Sequence, residues 1–154
     1  MTDPSATGTI EIAGPAAAVY AVVSDPAQLV SVAEETTKIV HRRAKVGQVG
    51  ARFMGINRRG WHVWPTLSKV TDADPGTRFA FEVGEFGIPV SRWQFDIEPT
   101  ATGCRVTEST WDRRPNWFKP VTAPFTGVKD RPSVNEENIA KTLERLKARV
   151  ESRA

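Results

Sequence analysis

Cysteine and histidine are scarce in this sequence. Among 154 residues there are one cysteine, Cys104, and two histidines, His41 and His62. A single cysteine cannot form an internal disulfide, and the positions of these three residues match no zinc-binding spacing. The sequence therefore predicts no metal site.

Long apolar runs and sequence motifs for cofactor binding are missing as well. No stretch approaches the roughly 18 apolar residues that a membrane-spanning helix requires. The N-terminal residues MTDPSATGTI lack the basic and apolar segments of a secretory signal. No G-x-G-x-x-G loop or G-x-S-x-G turn occurs. We expect no transmembrane segment, a cytoplasmic location and no cofactor, with contact at a membrane surface left open.

The charges are nearly balanced. The sequence has 21 basic and 18 acidic side chains, a formal net charge of +3. This excess is too small to indicate a nucleic-acid partner. The basic pairs at 42–43, 58–59 and 113–114 are typical of a solvated face, although each could also meet a phosphate or an anionic lipid surface.

Alternating apolar residues and frequent turn residues are abundant instead, and they predict seven β-strands. The predicted strands are Thr7–Ala13, Thr36–Ala44, Ala51–Arg58, Trp61–Thr71, Thr77–Val83, Pro89–Glu98 and Cys104–Asp112. The six strands after residue 33 are joined by short connections, which require antiparallel pairing.

Helical patterns precede and follow this run of strands. Two short helices are predicted after the first strand, the second with Asp25 as its N-cap. The segment 113–132 reads as a proline-rich apolar linker. Ser133 and Glu136 match a capping box, which predicts the start of a long C-terminal helix. One apolar stripe marks the buried face of that helix: Ile139, Leu143, Leu146 and Val150.

These elements predict one α+β domain over residues 1–154, in which the antiparallel sheet wraps around the C-terminal helix. A helix about 10–12 Å across cannot fill the concave face of a twisted seven-stranded sheet. We therefore expect a cavity between the helix and the strands.

The chain resembles the START-like (SRPBCC) superfamily of helix-grip proteins, which includes the polyketide cyclase/dehydrase and lipid-transport group. The likeness is carried by IEIAGPAAAVYAVVSDPAQL, VGARFMGINRRGWHVWPTLSKV, DPGTRFAFEV, SRWQFDIEPTATGCRVTES and TGVKDRPSVNEENIAKTLERLKA. The resemblance implies the helix-grip fold and a cavity for a hydrophobic ligand. Its members differ in ligand, and only some are catalytic. Many carry a tryptophan shortly after the second short helix, where this chain reads LVSVAEETT.

Strand alternation selects the side chains that face the predicted cavity. Twelve of the thirteen aromatic residues lie between Phe53 and Phe125, so we expect an aromatic inner face. The predicted ligand-binding residues are Phe53, Asn57, Trp64, Ser68, Phe79, Phe81, Trp93, Phe95, Glu108 and Thr110.

Two of the inward-facing residues are weak candidates for catalysis. Glu108 in aromatic surroundings would resist ionisation and could act as an acid, a base or a polar anchor. Alternatively, it pairs with an arginine such as Arg59 or lies at the cavity rim. His62 could transfer protons, but it stands near the start of a strand, where exposure is common.

Three functions are compatible with these observations. The first is binding or transport of an apolar small molecule such as a lipid or polyketide, by a monomer or homodimer. The second is a cyclase, aromatase or dehydratase that uses the same cavity. The third is a partner- or membrane-binding module, in which the apolar linker over 115–128 forms an exposed patch.

Overall fold

The computed structural model describes residues 2–43, 47–128 and 130–152, without the side chains of residues 41–43 and 125. The strands are β1 (Ala6–Ile12), β2 (Thr36–Arg43), β3 (Arg52–Arg59), β4 (His62–Asp74), β5 (Arg78–Glu85), β6 (Ile88–Thr100) and β7 (Gly103–Asp112). The helices are α1 (Ala16–Val23), α2 (Pro26–Val32), α3 (Lys119–Thr126) and α4 (Arg131–Glu151).

All seven strands form one antiparallel sheet in the order β1-β7-β6-β5-β4-β3-β2. Each predicted strand has a counterpart, and the largest difference is that β4 continues to Asp74 rather than ending at Thr71. The end predicted for β2, Ala44, lies outside the described residues. Irregular pairing at Val70 and Val83 adds to the twist of the sheet. The sheet curls around α4, which confirms the predicted α+β helix-grip fold.

The core lies between the concave face of the sheet and the helices. The apolar stripe of α4 is buried as predicted and faces β1 and β7. Helix α1 packs against β5 and β6, and α2 packs against β2. Asp25 caps α2 by accepting a hydrogen bond from the Ala27 amide at 3.0 Å. Within the described residues, no helix combines the length and apolar character needed to cross a membrane.

The predicted start of α4 was wrong. The N-cap is Asp130, whose carboxylate accepts hydrogen bonds from the backbone N–H and the hydroxyl of Ser133. Pro132 occupies the first turn, where its missing N–H leaves no helical hydrogen bond unmade. Asp130, with a proline two residues later, therefore starts the helix before the Ser133–Glu136 capping box.

The segment predicted as an apolar linker contains a helix that the sequence analysis missed. Helix α3 carries a proline in its first turn and Pro124 inside it. Hydroxyls of Thr122 and Thr126 donate to the helix carbonyls of Lys119 and Thr122. Phe118, just before α3, is buried, so the segment packs on the fold as expected.

Candidate functional site

A cavity of about 180 Å³ lies between the inner face of the sheet, α2 and α4. Alternation along the strands places its wall residues on one face, because β3 and β4 pair Phe53 with Ser68 and Asn57 with Trp64. Strands β5 and β6 pair Phe81 with Trp93 in the same way.

The wall of the cavity is largely aromatic. The rings of Phe53 and Phe81 meet edge to face, with centroids 5.7 Å apart. Trp64, Trp93 and Phe95 complete this wall. A wall of this kind favours apolar ligands, because transferring apolar surface from water into it is favourable.

The predicted ligand-binding residues line the cavity, with two exceptions. Phe79 packs in the core against Tyr20, with ring centroids 6.3 Å apart. The Thr110 hydroxyl donates to the Arg92 carbonyl at 2.9 Å and is buried. Alternation identifies the inner face of a strand, but it does not show where helices fill that face.

Glu108 is the buried acid of the cavity. Its residue is 4% exposed, and its Oε2 has no hydrogen-bond partner among the described residues. Its neighbours across the sheet are Phe95 on β6 and Gly8 on β1. Burial raises the pKa of Glu108 well above its usual value, so the protonated form is favoured. It forms no ion pair with Arg59 and is too deeply buried for the rim, so both of those alternatives were wrong.

Asn57 is held by hydrogen bonds within the sheet. Its Oδ1 accepts from the Thr36 hydroxyl at 2.7 Å, and its Nδ2 donates to Thr66 Oγ1 at 2.9 Å and to the Trp64 carbonyl at 3.3 Å. Both N–H donors are used, and Oδ1 retains capacity for one more hydrogen bond. Asn57 therefore offers a ligand an acceptor rather than a donor.

We place the opening of the cavity at the end where Asp112, Arg114 and Arg131 lie. These three residues line both the cavity and an adjoining surface depression of about 400 Å³. We call this opening the cavity mouth. The Arg114 guanidinium binds both carboxylate oxygens of Asp112, at 2.9 and 2.7 Å. Burial opposes ionisation there, but Arg114 outweighs it and keeps the pKa of Asp112 below its usual value.

A second ion pair ties α4 to the sheet at the mouth. Arg131 donates to both oxygens of Glu35, at 3.0 and 2.9 Å, and its guanidinium lies 5.8 Å from the centre of the Trp64 ring. Nearby Glu85 is half-buried, and burial raises its pKa although Arg131 partly opposes the shift. The arginines of the mouth are thus engaged with acids rather than free for a ligand.

Polar side chains of α4 face the cavity opposite the aromatic wall. Asn135, Asn138 and Thr142 are buried there, and neither amide side chain has a hydrogen-bond partner among the described residues. The sequence analysis missed them. The available signal was their helical spacing, which places them beside the stripe that starts at Ile139.

His62 does not line the cavity. Its ring stacks on Trp61 at a centroid distance of 3.7 Å. On its other side lies Gly127, where an added Cβ would be 2.6 Å from the imidazole. Its place is therefore at the packing contact between the β3–β4 turn and the end of α3. In the part of the chain that the structure describes, no cluster of three or more His, Cys, Asp or Glu side chains could hold a metal ion.

Comparison with known proteins identifies a family and several similar folds. Residues 3–151 match the family described as "Polyketide cyclase / dehydrase and lipid transport". A Polyketide_cyc-like protein from Corynebacterium glutamicum is 26% identical, with a TM-score of 0.58 over 98% of this chain and 94% of that one. A protein from Thermus thermophilus is 16% identical, with a TM-score of 0.71 over 97% and 98%.

The fold also matches one half of a larger protein. The di-domain ARO/CYC StfQ from the steffimycin biosynthetic pathway is 15% identical, with a TM-score of 0.75 over 96% of this chain. This chain spans 50% of the length of StfQ. No curated protein matches the sequence.

Proposed function

Because the chain belongs to the polyketide cyclase/dehydrase and lipid transport family, we propose that residues 1–154 act as a single domain that binds an apolar small molecule in the cavity. The aromatic wall facing the unpaired amides of α4 is the observation that carries this proposal. An apolar molecule with a few polar atoms would fit such a site, since binding pockets are mostly apolar with few well-placed polar groups.

The cavity size limits the ligand. Pockets that enclose a drug-sized molecule measure about 300–1,000 Å³, whereas this cavity measures about 180 Å³. A small ring system would be enclosed. A longer lipid or polyketide would place one end inside and extend the rest through the cavity mouth.

A matched pair of variants tests the proposal. Ser68 faces the cavity, whereas its neighbour Leu67 is exposed on the outer face of β4. Ser68→Phe should fill the cavity, and Leu67→Phe should leave it open. Fatty acids, sterol-like molecules and aromatic polyketides are titrated while tryptophan emission is followed, with Trp64 and Trp93 as the reporters.

We expect at least one of these ligand classes to shift the emission of the wild type and of Leu67→Phe, but not that of Ser68→Phe. The proposal fails if no class shifts the wild type, or if Ser68→Phe responds as the wild type does. Thermal unfolding of both variants checks that they fold.

Glu108 supports a second candidate function, that of a cyclase or dehydratase. A protonated carboxyl inside the cavity can give its proton to a ketone oxygen as a new carbon–carbon bond forms, or to a hydroxyl that leaves as water. The resulting carboxylate regains a proton from the carbon that loses one. Glu108→Gln keeps the shape of the side chain and removes the proton, so it should abolish cyclisation of a poly-ketone substrate without preventing its binding. Unchanged turnover would exclude Glu108 from the reaction.

A further inference from the structure

Three large aromatic side chains project into solvent at the end of the molecule that holds the cavity mouth. Trp61 is 82% exposed, Phe86 is 90% exposed and Trp117 is 64% exposed. They occupy the β3–β4 turn, the β5–β6 turn and the segment after β7. In an antiparallel sheet of this order, these connections all lie at one end. We call the three residues the aromatic rim.

Neighbouring residues link two members of this rim to α3 and to the cavity. Trp61 stacks on His62, which lies against Gly127 at the end of α3. Phe86 follows Glu85, which lines the cavity. Glu85 lies close enough to Arg131 for the charge of that arginine to act on the pKa of its carboxyl group. The rim therefore lies at the same end of the molecule as the mouth.

Folding does not account for the aromatic residue at position 86. Phe86 has φ of 52°, and Gly87 after it has φ of 77°. Both angles lie in the left-handed region, which a two-residue hairpin turn normally fills with Asn and Gly. A phenylalanine here is strained and buries almost no surface. Such a residue is expected where a function outweighs its cost.

The opposite end of the sheet provides an internal comparison. Its turns read Asp74-Pro75-Gly76-Thr77 and Ala101-Thr102, and neither contains an aromatic residue. In the part of the β2–β3 connection that the structure describes, Val49 is the large apolar side chain that is exposed. The concentration of exposed aromatic residues is thus specific to the end with the mouth.

Cationic side chains flank the rim. The residues Arg58 and Arg59 immediately precede the β3–β4 turn, and Lys119 follows Trp117 closely. None of these three forms an ion pair with a described residue, whereas Glu35 and Asp112 at the mouth are already bound to arginines. The acids near this end that form no ion pair with a described residue are Asp3, Glu85, Asp130, Glu136 and Glu137. Glu85 is half-buried, Asp130 caps α4, and Glu136 and Glu137 lie in the second turn of that helix.

We propose that the aromatic rim docks the protein on an anionic lipid bilayer with the cavity mouth facing the headgroups. Tryptophan and phenylalanine beside arginine and lysine match the interface of such a bilayer. A second protein copy fits less well, because a symmetric dimer through the rim would bring the unpaired cations of the two copies together. This docking does not require that the cavity be occupied.

Cosedimentation with vesicles tests the proposal. Phosphatidylcholine vesicles with and without phosphatidylglycerol are compared, using the wild type and the triple variant Trp61→Ser, Phe86→Asn and Trp117→Ser. The double variant Val49→Ser, Leu67→Ser is the control, because it removes exposed apolar side chains away from the mouth. We expect the wild type and the control to bind the anionic vesicles. The triple variant should bind them at least about tenfold more weakly.

Two vesicle results would overturn the proposal: a wild type that binds neither kind of vesicle, or a triple variant that binds like the wild type. A dimeric wild type with a monomeric triple variant would also overturn it. The Ser68→Phe variant distinguishes a failure of this proposal from a failure of the proposed ligand binding. It should bind vesicles like the wild type even though its cavity is filled.

Discussion

Glu108 on β7 lies directly across from Gly8 on β1, and α4 crosses over that glycine. A Cβ at Gly8 would lie only 2.8 Å from Cγ2 of Ile139. The missing side chain therefore lets α4 pack closely against the sheet beside the carboxyl group. This packing contributes to the burial of Glu108, and burial is what raises its pKa.

Gly8→Ala should destabilise the fold, because the new methyl group overpacks a buried contact. The expected loss is about 1–3 kcal/mol in the free energy of unfolding, measured by urea denaturation. Ile139→Ala removes the Cγ2 atom that would clash. Its cost should be smaller in the Gly8→Ala background than in the wild type. Additive effects of the two substitutions would contradict the contact.

The raised pKa of Glu108 predicts a pH-dependent stability. The folded state holds this proton at pH values where the unfolded state has released it, so stability falls as pH rises from the unfolded pKa through the folded one. Glu108→Gln cannot ionise and should lack this decrease. Urea unfolding across about pH 5 to 9 should show the variant gaining on the wild type as pH rises. Parallel curves would mean that Glu108 ionises normally.

The Arg131–Glu35 pair should contribute more to stability than the ion pairs on the outer face of α4. Both side chains are largely covered, so Arg131→Gln leaves a buried carboxylate without its partner and should cost on the order of 3 kcal/mol. Arg145→Gln on the same helix breaks a more exposed pair with Glu34 and should cost less than about 1 kcal/mol. Equal losses in urea unfolding would contradict this difference.

Phe86→Asn should stabilise the protein while weakening its binding to vesicles. Asparagine tolerates the positive φ of this position, so thermal unfolding should show a gain of roughly 0.5–1 kcal/mol. Phe86→Ser is the control, because serine also removes the ring but has no preference for this φ. It should weaken vesicle binding to the same extent as Phe86→Asn without gaining stability. A less stable Phe86→Asn variant would show that the ring supports the fold.

Local patterns in the sequence predicted most of the fold. Alternation along the strands and the helical stripe from Ile139 to Val150 determine which side chains are buried, because each reflects one element at a time. Helix starts were less predictable. Asp130 and Ser133 are both residue types that cap helices well, and in the structure Asp130 is the N-cap, with its carboxylate accepting from the Ser133 backbone N–H.

The candidate site was predictable only in part. The aromatic wall follows from strand alternation, but the depth of each residue does not, which is why Phe79 and Thr110 were misplaced. The mouth depends on Arg131 meeting Glu35, 96 positions earlier in the chain. A contact between residues so far apart depends on the topology of the whole sheet and leaves no local signal.

Native mass spectrometry tests ligand binding in the cavity most directly. The protein would be purified gently from its own or a related host and weighed, and then weighed again after exposure to a lipid and polyketide extract. We predict a stoichiometric adduct of an apolar molecule on the wild type and on Leu67→Phe, and none on Ser68→Phe. A wild type that keeps the mass of the bare chain in both experiments would contradict the proposed function.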